Sequence, residues 1–189
     1  MRKIFLILFM STLYGCASHT YRDTGLGRFR GVVDVRWVKS DYFQFLPRFD
    51  EPFEFIRPNG TIIRPGSMLT DGGSIPRFLW GIKGYSPWGY APAYIVHDWL
   101  FEAQHCGYEP DNKYTFSDSV TILAEGLKVI METDPAARDY FVFDTVIAAV
   151  GTPIAHRLWN GGVCKSLTRR FQKLDEQPLG DLIMTIRFK

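Results

Sequence analysis

Apolar and polar residues alternate along the first third of the chain in the way that β-strands require. Residues 31–38 (GVVDVRWV) alternate apolar with charged side chains, and this period of two predicts a half-buried strand. Residues 42–46 form a second, aromatic-rich candidate. The apolar runs 53–56 and 61–63 flank Asn59-Gly60, a pair that tolerates the positive φ angles of a tight hairpin. The pattern therefore predicts a small antiparallel sheet.

In the second half of the chain the apolar residues recur at steps of three and four, which predicts helices. The first helix covers about residues 92–106, because its opening proline suits a first helical turn and Gly107 would end it. Thr115 or Ser117 could cap a second helix that ends near Thr133.

A third helix is predicted to begin at Asp134 and Pro135, because aspartate caps helices and proline fits their first position. The glycines at 161–162 would end it. Asp144 and Pro153 lie inside this run, which favours a core helix over a membrane span. The apolar positions of the run follow at helical spacing: Tyr140, Phe143, Ile147, Val150, Ile154 and Leu158.

Residues 182–188 alternate once more and predict a strand that could return to the N-terminal sheet. The predicted fold class is α+β, with a small antiparallel N-terminal sheet and hairpin, then about three helices and a C-terminal strand. Apolar residues make up 46% of the chain and aromatic residues 15%, which suffices for a packed core and excludes wholesale disorder. The net charge of +2 comes from scattered basic residues, so nucleic acid is not a predicted partner.

The N-terminal residues are predicted to form an export signal. A positive pair at residues 2–3 precedes the apolar run 4–10 and Leu13-Tyr14-Gly15-Cys16; the run is too short to span a bilayer core of about 30 Å. This order resembles the signal of bacterial lipoproteins, in which the cysteine receives lipid on its sulfur and becomes the mature N-terminus. An ordinary secretory signal with a chance cysteine is the alternative.

If Cys16 is lipidated, residues 1–15 are the signal peptide, residues 16–30 a polar tether and residues 31–189 a single globular domain. By the same resemblance, alanine rather than aspartate after the cysteine implies an outer-membrane lipoprotein that faces the periplasm. Several acyl chains, such as palmitate, anchor a protein stably because each buried CH₂ contributes about 0.8 kcal/mol. The membrane is therefore a predicted partner. Cys106 and Cys164 remain; they could pair in an oxidising periplasm or be two separate buried thiols.

A glycine-rich stretch, residues 69–77 (LTDGGSIPR), is the first candidate for chemistry. Asp71 and the carbonyl groups of the turn could hold a hard cation, of which calcium is the first to consider. Ser74 precedes Ile75-Pro76 and could cap a short helix. The alternative is that Asp71 and Ser74 only stabilise a tight turn.

The second candidate is the pair His97-Asp98, which interrupts an otherwise mostly apolar helix. Imidazole changes its protonation state near neutral pH, so His97 could act as a general base with Asp98 as a metal ligand beside it. The alternative is a partly buried histidine bonded to a backbone carbonyl. Asp118, on the next helix, could come alongside His97 if the two helices are antiparallel, and would then fix the imidazole tautomer. It could equally be an acid that only the helix dipole favours.

Three stretches together, TDGGSIPRFLW, APAYIVHDWLF and FSD, resemble a small phage- and prophage-associated family, the domain-of-unknown-function family numbered 1353. The resemblance covers about residues 50–160 and implies the domain and a viral origin, but no reaction or substrate. Here Gly73, Phe101 and Ser117 stand where the family pattern has Ala, Tyr and Ala. Secreted phospholipases A2 offer a looser likeness, which implies a calcium-binding turn at residues 71–73 and an orienting role for Asp118. Their dense disulfides are absent.

These observations leave two hypotheses for a lipid-anchored, phage-derived envelope protein with a polar pocket. In one, the protein is a hydrolase of envelope material such as phospholipid or peptidoglycan, with or without the aid of a metal. In the other, it is a non-catalytic binding or superinfection-exclusion lipoprotein that recognises an envelope or phage component. The pocket residues fall into two sets: the candidate catalytic residues Ser74, His97 and Asp118, and the candidate metal ligands Asp71 and Asp98.

Overall fold

A curled antiparallel sheet forms one layer of the protein. The computed structural model describes residues 20–39, 42–70, 85, 88–164 and 178–188. The strands within them are β1 (Arg28–Lys39), β2 (Tyr42–Pro47), β3 (Glu54–Ile56), β4 (Ile62–Ile63), β5 (Met68–Thr70) and β6 (Asp181–Phe188). The strand order is β4-β3-β1-β2-β5, and β6 also pairs with β1.

Strand β1 organises this sheet, because it pairs antiparallel with β2, β3 and β6. Val33 and Val35 are fully buried, as the predicted alternation requires. Trp37 continues the same alternation but is 47% exposed. It lies near the end of β1, where the register against β2 shifts. The predicted hairpin is confirmed between β3 and β4, with Gly60 at a φ of +85°.

Four helices form the second layer of the described structure: α1 (Ala91–Cys106), α2 (Phe116–Thr133), α3 (Tyr140–Val150) and α4 (Pro153–Gly161). Helix α2 contacts α1, α3 and β1, so it joins the helical layer to the sheet. The shared core contains fully buried aromatic and aliphatic side chains from both layers, including Phe53, Phe55, Leu100, Leu123 and Leu127. The predicted α+β class is confirmed.

The predicted ends of the first two helices are confirmed. Gly107 ends α1 in the left-handed conformation, with a φ of 70°, which glycine adopts at no steric cost. Thr115, rather than Ser117, caps α2.

The prediction of one long third helix is wrong. Asp134 caps only a short 3-10 turn over residues 135–137. Asp139 caps α3, and Thr152 caps α4 with Pro153 in its first turn. The two helices bend by 51° at this break. No single helix among the described residues is long and apolar enough to cross a membrane, and the α3–α4 pair meets that test only as a bent pair.

The fold begins before residue 31, where the predicted tether was expected to end. Residues 20–23 are helical and β1 starts at Arg28. Tyr21 is buried, and its hydroxyl donates a hydrogen bond to Glu132 Oε1 at 2.9 Å. Lys128 lies 5.1 Å from the centre of the Tyr21 ring and donates to the carbonyl of Thr24. Part of the predicted tether therefore belongs to the folded domain.

A disulfide joins Cys106, at the end of α1, to Cys164, shortly after α4. Of the two states left open by the sequence, the structure has the paired one. The bond fixes the segment after α4 to the end of the helix that carries His97.

Candidate functional site

Helix α1 carries the candidate site on one turn. Tyr94, His97 and Asp98 are three and four residues apart, so their side chains lie on neighbouring parts of the helix surface. The surrounding residues Ala93, Ile95, Val96 and Leu100 are buried. The ionisable side chains of this part of α1 therefore lie among buried apolar residues.

The imidazole of His97 is almost completely buried, with 5% of the side chain exposed. Neither ring nitrogen has a hydrogen-bond partner among the described residues. The ring lies 5.1 Å from that of Phe101, measured between centroids. Among the described residues, therefore, no backbone carbonyl accepts the hydrogen bond from His97 that the alternative prediction requires.

The carboxylate of Asp98, the next residue in the chain, lies near the imidazole of His97. Its Oδ1 lies 3.9 Å from His97 Nδ1, which is beyond hydrogen-bond distance but close enough for electrostatic stabilisation. Its Oδ2 accepts a hydrogen bond from Thr70 Oγ1 at 3.4 Å. Because Thr70 ends β5, this bond joins α1 to the sheet immediately before Asp71.

Tyr94 is a third polar member of the site that sequence reasoning missed. Its hydroxyl is buried and has no hydrogen-bond partner among the described residues. Burial raises the pKa of Tyr94 far above its ordinary value, and the neighbouring Tyr90 and the charge of Asp98 raise it further. Tyr94 therefore keeps its proton and can donate a hydrogen bond. The signal in the sequence was the four-residue spacing between Tyr94 and Asp98.

Asp118 does not hydrogen-bond His97. Its Oδ2 accepts from the backbone N–H of Thr115 at 2.8 Å and from the Thr115 hydroxyl at 2.6 Å, while Thr115 Oγ1 accepts from the Asp118 N–H. These contacts form a capping box at the start of α2. The hydrogen bonds from Thr115 lower the pKa of Asp118. The predicted orienting role of Asp118 therefore gains no support, since its carboxylate caps the helix instead.

The part of the chain that carries these residues can be compared with known families. Residues 48–131 match a family model described as a protein of unknown function, DUF1353. This segment resembles DUF1353 proteins. The match supports the resemblance that the three sequence motifs indicated. It spans β3 to nearly the end of α2. No curated protein and no solved structure matches the chain.

The matched segment also contains Asp71 and Ser74, which lie outside the described residues. The predictions of a cation-binding turn at Asp71 and of a catalytic or helix-capping role for Ser74 therefore stay predictions. Within the part of the chain that the structure describes, no group of three or more acidic, histidine or cysteine side chains that includes Asp98 is close enough to hold a metal.

One close group of possible ligands lies at the other end of α1 from Tyr94. It comprises Glu102, Cys106 and Cys164, whose ligand atoms lie within 4.8 Å of one another. The two sulfur atoms are joined in the disulfide, so they are not thiolate ligands. Glu102 Oε1 lies 3.3 Å from Cys106 Sγ. In this state the disulfide of the group links α1 covalently to the segment after α4.

Proposed function

We propose that this chain is a lipid-anchored, phage-derived protein of the bacterial cell envelope whose His97–Asp98 pocket hydrolyses envelope material. The observation that carries the proposal is the buried imidazole of His97 without a hydrogen-bond partner among the described residues. A buried polar group without a partner costs roughly 1–3 kcal/mol. Use by a ligand or by a reaction is one physical reason for such a group to persist.

The arrangement suits general-base catalysis of hydrolysis. A neutral His97 nitrogen would accept a proton from water, and the water oxygen would attack the electrophilic carbon or phosphorus of the substrate. The bond to the leaving group then breaks, and the proton passes from the imidazolium to that group. The carboxylate of Asp98, 3.9 Å from Nδ1, would stabilise the imidazolium between these steps. Tyr94, which burial keeps protonated, would donate to the oxygen that gains negative charge.

The envelope location rests on the lipoprotein-like signal that ends at Cys16. The disulfide between Cys106 and Cys164 supports it, because disulfides persist in oxidising compartments such as the periplasm and are rare in the cytosol. The phage origin rests on the family resemblance.

One observation favours the competing function, a non-catalytic binding or superinfection-exclusion lipoprotein. The side chain of His97 is only 5% exposed, which limits the access of a bulky substrate. In that case the same polar groups would bind a component of the envelope or of another phage without chemistry.

Substitution of His97 by phenylalanine separates these functions. His97→Phe keeps a ring against Phe101 and removes only unpartnered polar atoms, so we expect the free energy of unfolding to stay within about 1 kcal/mol of wild type. We expect hydrolysis of labelled phospholipid vesicles or of peptidoglycan to fall by about 10²–10⁴-fold, the usual contribution of a general base. His156→Phe is the matched control, because His156 is exposed on α4, and it should leave the rate unchanged.

Two results would contradict the hydrolase. If the wild-type protein turns over neither substrate but binds one of them, the binding function replaces it. If His97→Phe unfolds much more easily than wild type while the rate is unaffected, His97 is structural.

The anchor is tested by labelling cells with a radioactive fatty acid. We expect wild-type protein to incorporate the label and to fractionate with membranes, because lipid attaches to the Cys16 sulfur. Cys16→Ser removes this sulfur and should lose both properties or remain unprocessed. Retention of the label by Cys16→Ser would exclude the lipoprotein assignment, and Ser11→Ala in the same signal is the control for unaffected export.

A further inference from the structure

The outer side of α3 and α4 presents an apolar surface to solvent. Phe141 is 45% exposed, Ile154 67%, Leu158 62% and Val163 79%. These four residues are called the α3–α4 apolar face below. Between residues 140 and 163 the charged side chains are those of Asp144 and Arg157. Exposed apolar surface with so little charge marks a site of contact with a membrane or with another protein.

The opposite side of the same helices is fixed in the core. Phe143 and Trp159 are buried, as are Val142, Val146 and Val150. The Phe101 and Trp159 rings meet edge to face at 4.9 Å between centroids. The helices therefore cannot turn the apolar face inward without losing these core contacts.

The N-terminal segment indicates what covers it. The Tyr21 ring lies 4.8 Å from the ring of Tyr140 and 5.1 Å from that of Phe143, measured between centroids. The chain thus enters the fold at the N-terminal end of α3, one residue from Phe141. Cys16 precedes Tyr21 by five residues, and five residues span at most about 18 Å. A lipid on Cys16 would hold the bilayer within that distance of this end of α3.

We propose that the α3–α4 apolar face lies in the interfacial region of the bilayer that holds the Cys16 lipid. This inference rests on the proposed anchoring. Amphipathic helices bind membranes in this way, with apolar side chains at the boundary between head groups and acyl chains. A second hydrophobic attachment also makes anchoring by acyl chains stronger and fixes the orientation of the domain. The bilayer here is therefore both the anchor point and the surface against which the domain docks.

Photo-crosslinking with the full, membrane-extracted protein tests the docking. A benzophenone-bearing amino acid replaces Leu158 in one variant and Phe49 in another, and each is reconstituted into phosphatidylethanolamine–phosphatidylglycerol vesicles with radioactive phospholipid. Phe49 is the control because it is 96% exposed but follows a strand of the sheet layer. We expect position 158 to crosslink several-fold more phospholipid than position 49. Unchanged thermal unfolding of both variants verifies that they are folded.

Mass spectrometry of Cys16 in the same samples distinguishes failure of the anchor from failure of the docking surface. If Cys16 is acylated and position 158 labels no more lipid than position 49, the docking proposal is overturned while the anchor stands. Crosslinks from position 158 to a second copy or to another protein overturn it as well. If Cys16 is not acylated, the anchor fails, and strong lipid labelling at position 158 alone still supports a membrane-binding face.

Discussion

Replacing Arg57 by methionine is expected to lower the free energy of unfolding by about 3–5 kcal/mol, as breaking buried ion pairs does. Arg57 follows β3, and its Nε and Nη2 donate to the two carboxylate oxygens of Glu125 on α2, each at 2.9 Å. Only 12% of the Arg57 side chain and 7% of the Glu125 side chain are exposed. The substitution would leave a buried carboxylate without its partner. Urea or guanidinium unfolding measures the loss.

Two further variants make this prediction specific. The double change Arg57→Met and Glu125→Leu should be more stable than Arg57→Met alone, because no unpaired charge remains. The matched control is Arg187→Met, which breaks an ion pair with Glu51 whose side chains are about half exposed. That change should cost no more than about 1 kcal/mol. Equal effects of Arg57→Met and Arg187→Met would contradict the assignment of a buried pair.

Removal of the disulfide should have an effect of similar size. Cys106 and Cys164 are separated by 58 positions, and cross-linking a loop of that length restricts the unfolded chain by about 4 kcal/mol in the chain-entropy model. The double variant Cys106→Ser and Cys164→Ser should therefore unfold at a clearly lower denaturant concentration than wild type.

A reducing agent provides the control for this prediction. It should lower the unfolding midpoint of the wild-type protein to that of the double serine variant and leave the variant itself unaffected. A wild-type midpoint that does not respond to complete reduction would mean that the two cysteines are separate thiols in solution.

Local signals in the sequence predicted most of the elements correctly. The alternation in β1, the Asn-Gly hairpin and the end of α1 at Gly107 each depend on a few neighbouring residues. They are decided by backbone preferences that act within one or two turns. The start of α2 was predicted to within two residues, because threonine and serine are both favoured caps and the sequence offered Thr115 and Ser117.

The break between α3 and α4 could not be located from apolar spacing. The spacing continues through residues 151–153, so the two helices read as one. After the bend, however, the inner residue of α4 is Trp159, while Ile154 and Leu158 are exposed. A change of direction rotates the buried side of a helix relative to the previous one, and this depends on tertiary packing. Pro153 marked the break, but a proline within a helical pattern fits two structures equally well. It can open a new helix, or it can kink one continuous helix.

The candidate site shows the same limit. The sequence placed His97 and Asp98 on one turn of a helix, yet neighbouring residues on a helix point about 100° apart, so contact could not be inferred. Asp118 was expected near His97 from the antiparallel order of α1 and α2. Its carboxylate instead accepts a hydrogen bond from the hydroxyl of Thr115, three residues earlier, and none from His97. A short local partner prevailed over a distant one because it requires no loop closure.

The pairing of β6 with β1 has a consequence for the order in which the protein can be completed. Met184 lies opposite Val35 and Phe188 opposite Gly31, so a ribosome must synthesise the chain through residue 188 before this edge of β1 is filled. Until then β1 offers free backbone groups to any other strand. If the protein is exported, this delay suits it, because an incomplete sheet keeps the chain unfolded for translocation. The same delay makes chains that stop before residue 181 candidates for aggregation rather than for partial function.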